Sequence, residues 1–237
     1  MDLDYAAVLY DITNGLPTSE AMAVLGASDG YLWLGGYGGV IRYDGSEFEK
    51  LSIADGLTSC RSLYEDSRKR IWVATNDNGV VVLDHEKRTH FTKEDGLPSS
   101  SVRTFAEDAA GNIYIGTTDG IAYVDEQMLL HQLDDERLNT ERILNLSSDQ
   151  GDTIYGFTKT GAVFAIDEGG VAGFYRSEEL GAEKMPCCCV RSMLMSRRRI
   201  IMPCEATRST SGRPLKRCMH SLRICSIFRG SNPVMSV

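Results

Sequence analysis

The sequence repeats itself at an interval of about 40 residues. One leucine marks each copy, at intervals of 41, 40, 41 and 42 residues: Leu16, Leu57, Leu97, Leu138 and Leu180. An aromatic residue marks four of the copies again, at intervals of 39, 42 and 41 residues: Trp33, Trp72, Tyr114 and Tyr155. Two independent landmarks with one spacing indicate a repeat architecture, in which each copy is one structural unit that stacks on the next.

Within each copy the pattern is that of short β-strands. Residues 102–109, "VRTFAEDA", alternate between apolar and polar, and "RIWVAT" and "NIYIGT" are β-branched and aromatic runs. Asp29-Gly30, Gly111-Asn112 and Gly151-Asp152 suit tight turns between the first two strands, because Gly and Asn tolerate positive φ. A third and a fourth strand complete each copy, and no helical stripe occurs through residues 1–184.

Four antiparallel strands repeating at this period predict an all-β fold, a partial β-propeller of about four blades and the start of a fifth. The predicted blades cover about residues 10–52, 53–93, 94–134 and 135–176, within a propeller region of residues 1–184. Small residues after the aromatic landmark should allow close packing between sheets: Gly35, Ala74, Gly116 and Gly156. A β-sandwich has similar strands but gives no reason for landmarks that repeat in register.

The segment "DGLPSSSVRTFAEDAAGNIYIGTTDG" resembles the two-component regulator propeller repeat, as do the copies around it from about Tyr10 to Lys184. The fourth copy departs from the pattern, with Arg137 in place of glycine and no proline. The resemblance implies the extracytoplasmic sensor region of a bacterial hybrid histidine kinase or diguanylate cyclase. Since the chain shows no kinase or cyclase segment, we expect a sensing module without catalytic residues or cofactor.

Ligand-contacting residues in propellers gather on loops at the central entrance, between the second and third strands and between successive blades. Within these loops, the residues that differ from copy to copy are the candidate ligand contacts: Tyr37, Asn76, Asp77, Asn78, Asp119 and Lys159. A tyrosine face with amides and carboxylates suits a carbohydrate, whose CH groups stack and whose hydroxyls form hydrogen bonds. The alternative is that these residues are solvated loop tips.

Other polar residues are interpreted as structural. The acidic residues Asp55, Asp95, Glu107 and Asp108 recur at equivalent places, which favours turns and hydrogen bonds between blades over catalysis. The "GGYGG" segment joins two strands and does not open a helix, so it does not predict a phosphate site. His85, His90 and His131 share no loop with a nucleophile.

Residues 185–237 differ sharply from the rest. They hold nine Arg and one Lys against one Glu, a net charge of +9, whereas the whole chain carries −8, so residues 1–184 carry −17. They also hold six of the seven cysteines. The cysteine spacing does not fit a zinc site, and no aromatic residues interleave the basic ones, so neither metal nor nucleic-acid binding is predicted. We interpret this tail as unstructured or out of frame, after a frameshift or truncation near Lys184.

The favoured function is a non-enzymatic, glycan-responsive sensor propeller. Its expected partners are a carbohydrate or other small ligand, its own output domain and a homodimer partner, without nucleic acid or membrane contact by this chain. The intact protein is expected outside the cytoplasm, whereas this chain, whose start lacks a signal-peptide pattern, would be cytoplasmic if made as it stands. A protein-interaction scaffold is the alternative, and a propeller lyase a third.

Overall fold

A computed structural model describes residues 9–18, 20–51, 56–148, 151–168 and 170–179, and in these segments it contains sixteen β-strands. Asp55, Leu180 and the predicted tail at 185–237 lie outside the described residues. The strands form four antiparallel sheets, each built from four strands in chain order. None of the described segments forms a helix of the length and apolarity that crossing a bilayer requires.

The four sheets are called blades 1 to 4. Blade 1 consists of β1 (Ala23–Gly26), β2 (Leu32–Gly36), β3 (Gly39–Tyr43) and β4 (Phe48–Lys50). Blade 2 consists of β5 (Cys60–Glu65), β6 (Ile71–Thr75), β7 (Val80–Asp84) and β8 (Lys87–Phe91). Blade 3 consists of β9 (Val102–Glu107), β10 (Ile113–Thr117), β11 (Gly120–Val124) and β12 (Leu130–Leu133). Blade 4 consists of β13 (Ile143–Ser148), β14 (Ile154–Thr158), β15 (Val163–Asp167) and β16 (Gly170–Tyr175).

The first strand of each blade lies at the inner side of the arrangement. Contacts between blades run from β1 to β5, from β5 to β9 and from β9 to β13, so the inner strands follow one another around an axis. The described blades do not close into a ring. The predicted partial β-propeller is confirmed.

Three hydrophobic cores lie between consecutive blades, and each contains one of the repeated leucines. Leu57 packs with Trp33 and Ile71 between blades 1 and 2. Leu97 belongs to the core between blades 2 and 3, and Leu138 to the core between blades 3 and 4. All three leucines are almost fully buried, which stabilises the fold by about 1.5–3 kcal/mol for each side chain. The leucine therefore recurs in the sequence because one buried leucine packs in each of these three cores.

Two of the predicted small residues allow neighbouring blades to approach closely. A Cβ at Gly35 would overlap the Cys60 sulfur of blade 2, and a Cβ at Gly116 would lie 2.8 Å from Ile143 of blade 4. Gly156 has another role, because a Cβ there would overlap the Phe164 ring of its own blade. Close approach between blades is therefore confirmed for Gly35 and Gly116, whereas for Gly156 it stays a prediction because a following blade would lie outside the described residues.

Hydrogen bonds also tie the blades together. The Glu65 carboxylate in blade 2 accepts from the Ser28 backbone N–H of blade 1 at 2.9 Å, and Glu107 in blade 3 accepts from the Ser67 N–H of blade 2 at 2.9 Å. Asp95 instead closes a turn, where it accepts from the Thr92 N–H at 2.8 Å. The structural interpretation of Glu107 and Asp95 is confirmed.

Candidate functional site

An open cavity of about 690 Å³ lies where the inner strands converge. Its walls come from these strands or from the residue before them in all four blades: Met22, Arg61, Ser62, Arg103, Arg142, Leu144 and Asn145. Three arginines thus share one cavity with two apolar and two small polar side chains. We call Arg61, Arg103 and Arg142 the axial arginines.

β-Bulges place Arg61 and Arg103 in the cavity. In blade 2, Cys60 pairs with Thr75 and Ser62 pairs with Ala74, so Arg61 between them has no partner across the ladder. Arg103 occupies the same place in blade 3, between Val102 and Thr104. A bulge bends its strand and redirects a side chain, which explains how a residue in a paired strand can point toward the axis.

In blade 4, the arginine stands at a different position relative to the inner strand. Its bulge places Leu144, not an arginine, at the position of Arg61 and Arg103. Arg142 comes two residues earlier, just before β13, and its carbonyl accepts from the Lys159 N–H at 2.8 Å. The arginines therefore reach the cavity from three consecutive blades and from two levels along the axis.

The axial arginines repel one another electrostatically. Burial lowers the pKa of Arg103, and the charges of Arg142 and Arg61 lower it further, while Tyr37 acts in the opposite direction. Among the described residues, no carboxylate lies within 4.0 Å of the three guanidinium groups, although ion pairs form elsewhere, as between Arg42 and Glu49. Within the described part of the chain, the cavity thus carries positive charge without a paired carboxylate.

Arg103 has an unsatisfied hydrogen-bond donor. Its Nε is buried and has no hydrogen-bond partner among the described residues. Buried polar atoms in proteins are nearly always paired, so such an exception calls for an explanation. A guanidinium offers five N–H donors in a planar fork that matches carboxylate, sulfate and phosphate oxygens. The cavity is chemically suited to an oxyanion.

The predicted contact residues lie on the loops between second and third strands. Tyr37 is 64% exposed and close enough to Arg103 to affect its pKa. Asn76 and Asn78 join their loop to the segment before β5, because the Asn76 amide donates to Ser59 Oγ at 2.9 Å and the Asn78 amide donates to the Gly56 carbonyl at 3.1 Å. The structure therefore brings Tyr37 near an axial arginine, whereas the amides of Asn76 and Asn78 are engaged in hydrogen bonds between two segments of the chain.

Asp77, Asp119 and Lys159 are exposed. Asp77 accepts a hydrogen bond from Thr58 Oγ1 at 3.0 Å, and the backbone N–H of Asp119 donates to Thr117 Oγ1 at 3.1 Å. Lys159 adjoins the cavity through its backbone bond to Arg142. Ligand contact by any of the six residues stays a prediction. Among the described residues, no group of His, Cys, Asp and Glu is arranged to hold a metal ion.

The sequence interpretation missed the axial arginines because it searched the loops and treated the inner strands as core. A signal was present. In "SCRS" and "SVRT", an arginine stands between a buried residue and a small polar one, 42 residues apart in consecutive copies. A charged residue that recurs in a strand otherwise lining the axis marks a cavity wall.

Comparison with known proteins gives the same architecture. A profile described as "Two component regulator propeller" matches residues 56–77 and 96–119. A search of the curated proteins found no match. Among solved structures, the chain is similar to the extracellular domain of BT3049 from B. thetaiotaomicron, named as a hybrid two-component system, with 24% identity, a TM-score of 0.56 and coverage of 63% of this chain and 22% of that one.

Two further structures are similar. The extracellular domain of BT4673 from B. thetaiotaomicron, named as a one-component system, shows 19% identity, a TM-score of 0.57 and coverage of 71% and 27%. Virginiamycin B lyase from Staphylococcus aureus shows 12% identity, a TM-score of 0.58 and coverage of 68% and 57%. The chain therefore spans less than a third of the two extracellular domains and just over half of the lyase.

At these identities the likeness to solved structures establishes the fold alone. The family profile adds the sequence evidence, because its two matches fall on blades 2 and 3, where they include β5, β6, β9 and β10. The resemblance seen in the sequence is confirmed: residues 56–77 and 96–119 are copies of the two-component regulator propeller repeat.

Proposed function

We propose that this chain is the ligand-sensing part of a bacterial transmembrane signalling protein and that it binds its ligand without transforming it. The observation that carries the proposal is the axial cavity, which has unneutralised arginines and an unsatisfied Arg103 donor. A ligand bound there would contact the inner strands of successive blades at the same time. A ligand that bridges blades can bias their relative packing, and this bias is what a signal requires.

Several observations support this reading. The matched repeat is described as part of two-component regulators, and the similar BT3049 and BT4673 structures are extracellular domains. Tyr37 beside the arginines offers an aromatic face for a sugar ring. We therefore propose a carbohydrate as ligand, an extracytoplasmic location for the intact protein, and an output domain and a second copy as its partners.

A glycan array probed with the 237-residue chain tests the proposal, followed by isothermal titration calorimetry with any glycan retained. We expect saturable binding of one glycan class, no change in the glycan on prolonged incubation, and weaker binding after Tyr37→Ala. Cleavage of a bound glycan would contradict a sensing role. Absence of any saturable binding would contradict ligand sensing by this chain.

A further inference from the structure

We propose that the axial arginines form an oxyanion-binding site that recognises a carboxylate or sulfate group carried by the sugar ligand. This inference rests on the proposed sensing function and adds the chemical class of the ligand. It follows from three features of the cavity: how the arginines are placed, what surrounds them, and what the fold loses by keeping them there.

The placement of the arginines favours a small anion over a long polyanion. Arg61 and Arg103 occupy the same bulged position in neighbouring blades, and Arg142 approaches from the next blade. Three guanidinium groups directed at one cavity can surround a single carboxylate or sulfate and share its oxygens through charge-assisted N–H bonds. A flat surface of basic residues would instead follow an extended charged chain.

The surroundings indicate that the anion is part of a larger, partly apolar molecule. Met22 and Leu144 line the same cavity, and Ser62 and Asn145 provide hydrogen-bonding groups beside the arginines. Tyr37 lies within electrostatic reach of Arg103. An acidic sugar matches this set, because its charged group meets the arginines while its CH face meets the apolar and aromatic side chains.

The arginines do not benefit the fold by themselves. Burial and the charges of Arg61 and Arg142 disfavour the charged form of Arg103, and its Nε makes no hydrogen bond within the described part of the chain. Clustered like charges without counter-ions raise the free energy of the folded state. A bound oxyanion would offset the positive charge of the axial arginines and would also accept a hydrogen bond from the free N–H group of Arg103.

The test measures calorimetric binding of four probes to the full chain: a uronic acid oligosaccharide, a sulfated disaccharide, a matched neutral disaccharide and inorganic sulfate. Arg103→Met is the main variant, since methionine keeps an unbranched apolar side chain without the charge. Lys87→Met is its control, because it makes the same charge change on the exposed outer strand β8. Arg61→Met replaces Arg103→Met if the latter does not fold.

We expect an acidic saccharide to bind at least about tenfold more tightly than the neutral one, Arg103→Met to weaken it about 10- to 100-fold, and Lys87→Met to leave it unchanged. Thermal unfolding gives a second readout, in which the effect of Arg103→Met on the melting temperature differs between the free and the ligand-bound protein. Without ligand, Arg103→Met should melt at the same or a higher temperature than the wild type. With the acidic saccharide, only the wild type and Lys87→Met should gain stability.

The other outcomes separate the two proposals. Equal binding of neutral and acidic saccharides, unaffected by Arg103→Met, would overturn the oxyanion site and leave the sensing function intact. Inorganic sulfate binding as tightly as the saccharides, with the same arginine dependence, would support the site and contradict a sugar ligand. Binding of none of the four probes would overturn the site, and the glycan array then decides separately on the sensing function.

Discussion

The carboxylate of Glu107 in β9 accepts a hydrogen bond from the Ser67 backbone N–H at 2.9 Å, across the boundary between blades 3 and 2. The Ser67 hydroxyl donates to the same carboxylate, and Tyr64 reaches it at 3.4 Å. Glu65 and Ser28 repeat this contact one blade earlier. One acidic residue at the end of an inner strand thus joins its blade to the turn of the preceding blade.

Replacing Glu107 should weaken this joint. Glu107→Ala removes the charged acceptor of the exposed Ser67 N–H, which water can partly replace, so we expect the free energy of unfolding to fall by about 0.5–1.5 kcal/mol. Urea unfolding followed by circular dichroism measures it. Glu86→Ala, in the exposed turn after β7, is the matched control and should change stability by less than about 0.5 kcal/mol. Equal effects of the two variants would contradict a joining role for Glu107.

The two tryptophans differ in one hydrogen bond. Trp72 Nε1 donates to the buried Asp66 carboxylate at 2.8 Å, whereas Trp33 Nε1 is buried without a partner among the described residues. Trp72→Phe should therefore cost about 1–3 kcal/mol more than Trp33→Phe, because only the former removes a buried hydrogen bond to a carboxylate. Denaturant unfolding of both variants by circular dichroism gives the comparison. A larger loss for Trp33→Phe would contradict this assignment.

Asp66 itself forms a buried ion pair. Its Oδ2 lies 2.6 Å from Arg70 Nε, and both side chains are almost fully buried. Asp66→Ala leaves the Arg70 charge uncompensated, so we expect a loss of about 3–5 kcal/mol. The double variant Asp66→Ala/Arg70→Met removes both charges and should recover part of the stability. No recovery in that double variant would show that packing, not charge pairing, dominates there.

Gly35 tests the close approach of blades 1 and 2. A Cβ there would overlap the Cys60 sulfur, so Gly35→Ala should destabilise the protein by about 1–3 kcal/mol. Gly26→Ala, in the same blade with open space around its Cα, is the control. Adding Cys60→Ala to Gly35→Ala should restore part of the loss, and a double-mutant cycle measures the coupling. Strictly additive effects would contradict a contact between these positions.

The buried thiol of Cys60 should make the protein less stable at alkaline pH. Burial raises the pKa of its thiol from 9.0 to about 12, so the folded state keeps a proton that the unfolded state releases. Its contribution is complete below pH 9 and is lost as pH rises toward 12, with a slope approaching about 1.4 kcal/mol per pH unit. Urea unfolding between pH 8 and 10 should show this slope, and Cys60→Ala should flatten it. An unchanged slope in Cys60→Ala would assign the decline to other groups.

The repeat, the strand pattern and the family resemblance could all be recognised from the amino-acid sequence alone. These are local properties: a leucine and an aromatic residue recur because each blade must bury the same face against its neighbour. Glu107 could be assigned to a joint between blades for the same reason. The repeat also pointed to the loops, where Tyr37 lies near Arg103 and where the amides of Asn76 and Asn78 bond to the segment before β5.

The clustering of positive charge at the axis, in contrast, depends on how the blades are arranged in three dimensions. Arg61, Arg103 and Arg142 stand about 40 residues apart in an acidic region. The recurring pattern around Arg61 and Arg103 marks two of them, but no local pattern shows that all three share one cavity. Two of them reach the axis because a bulge inserts one residue into a paired strand, and the third because it precedes its strand. Their proximity arises from the rotation of successive blades around one axis, a relation between distant segments that no stretch of sequence contains.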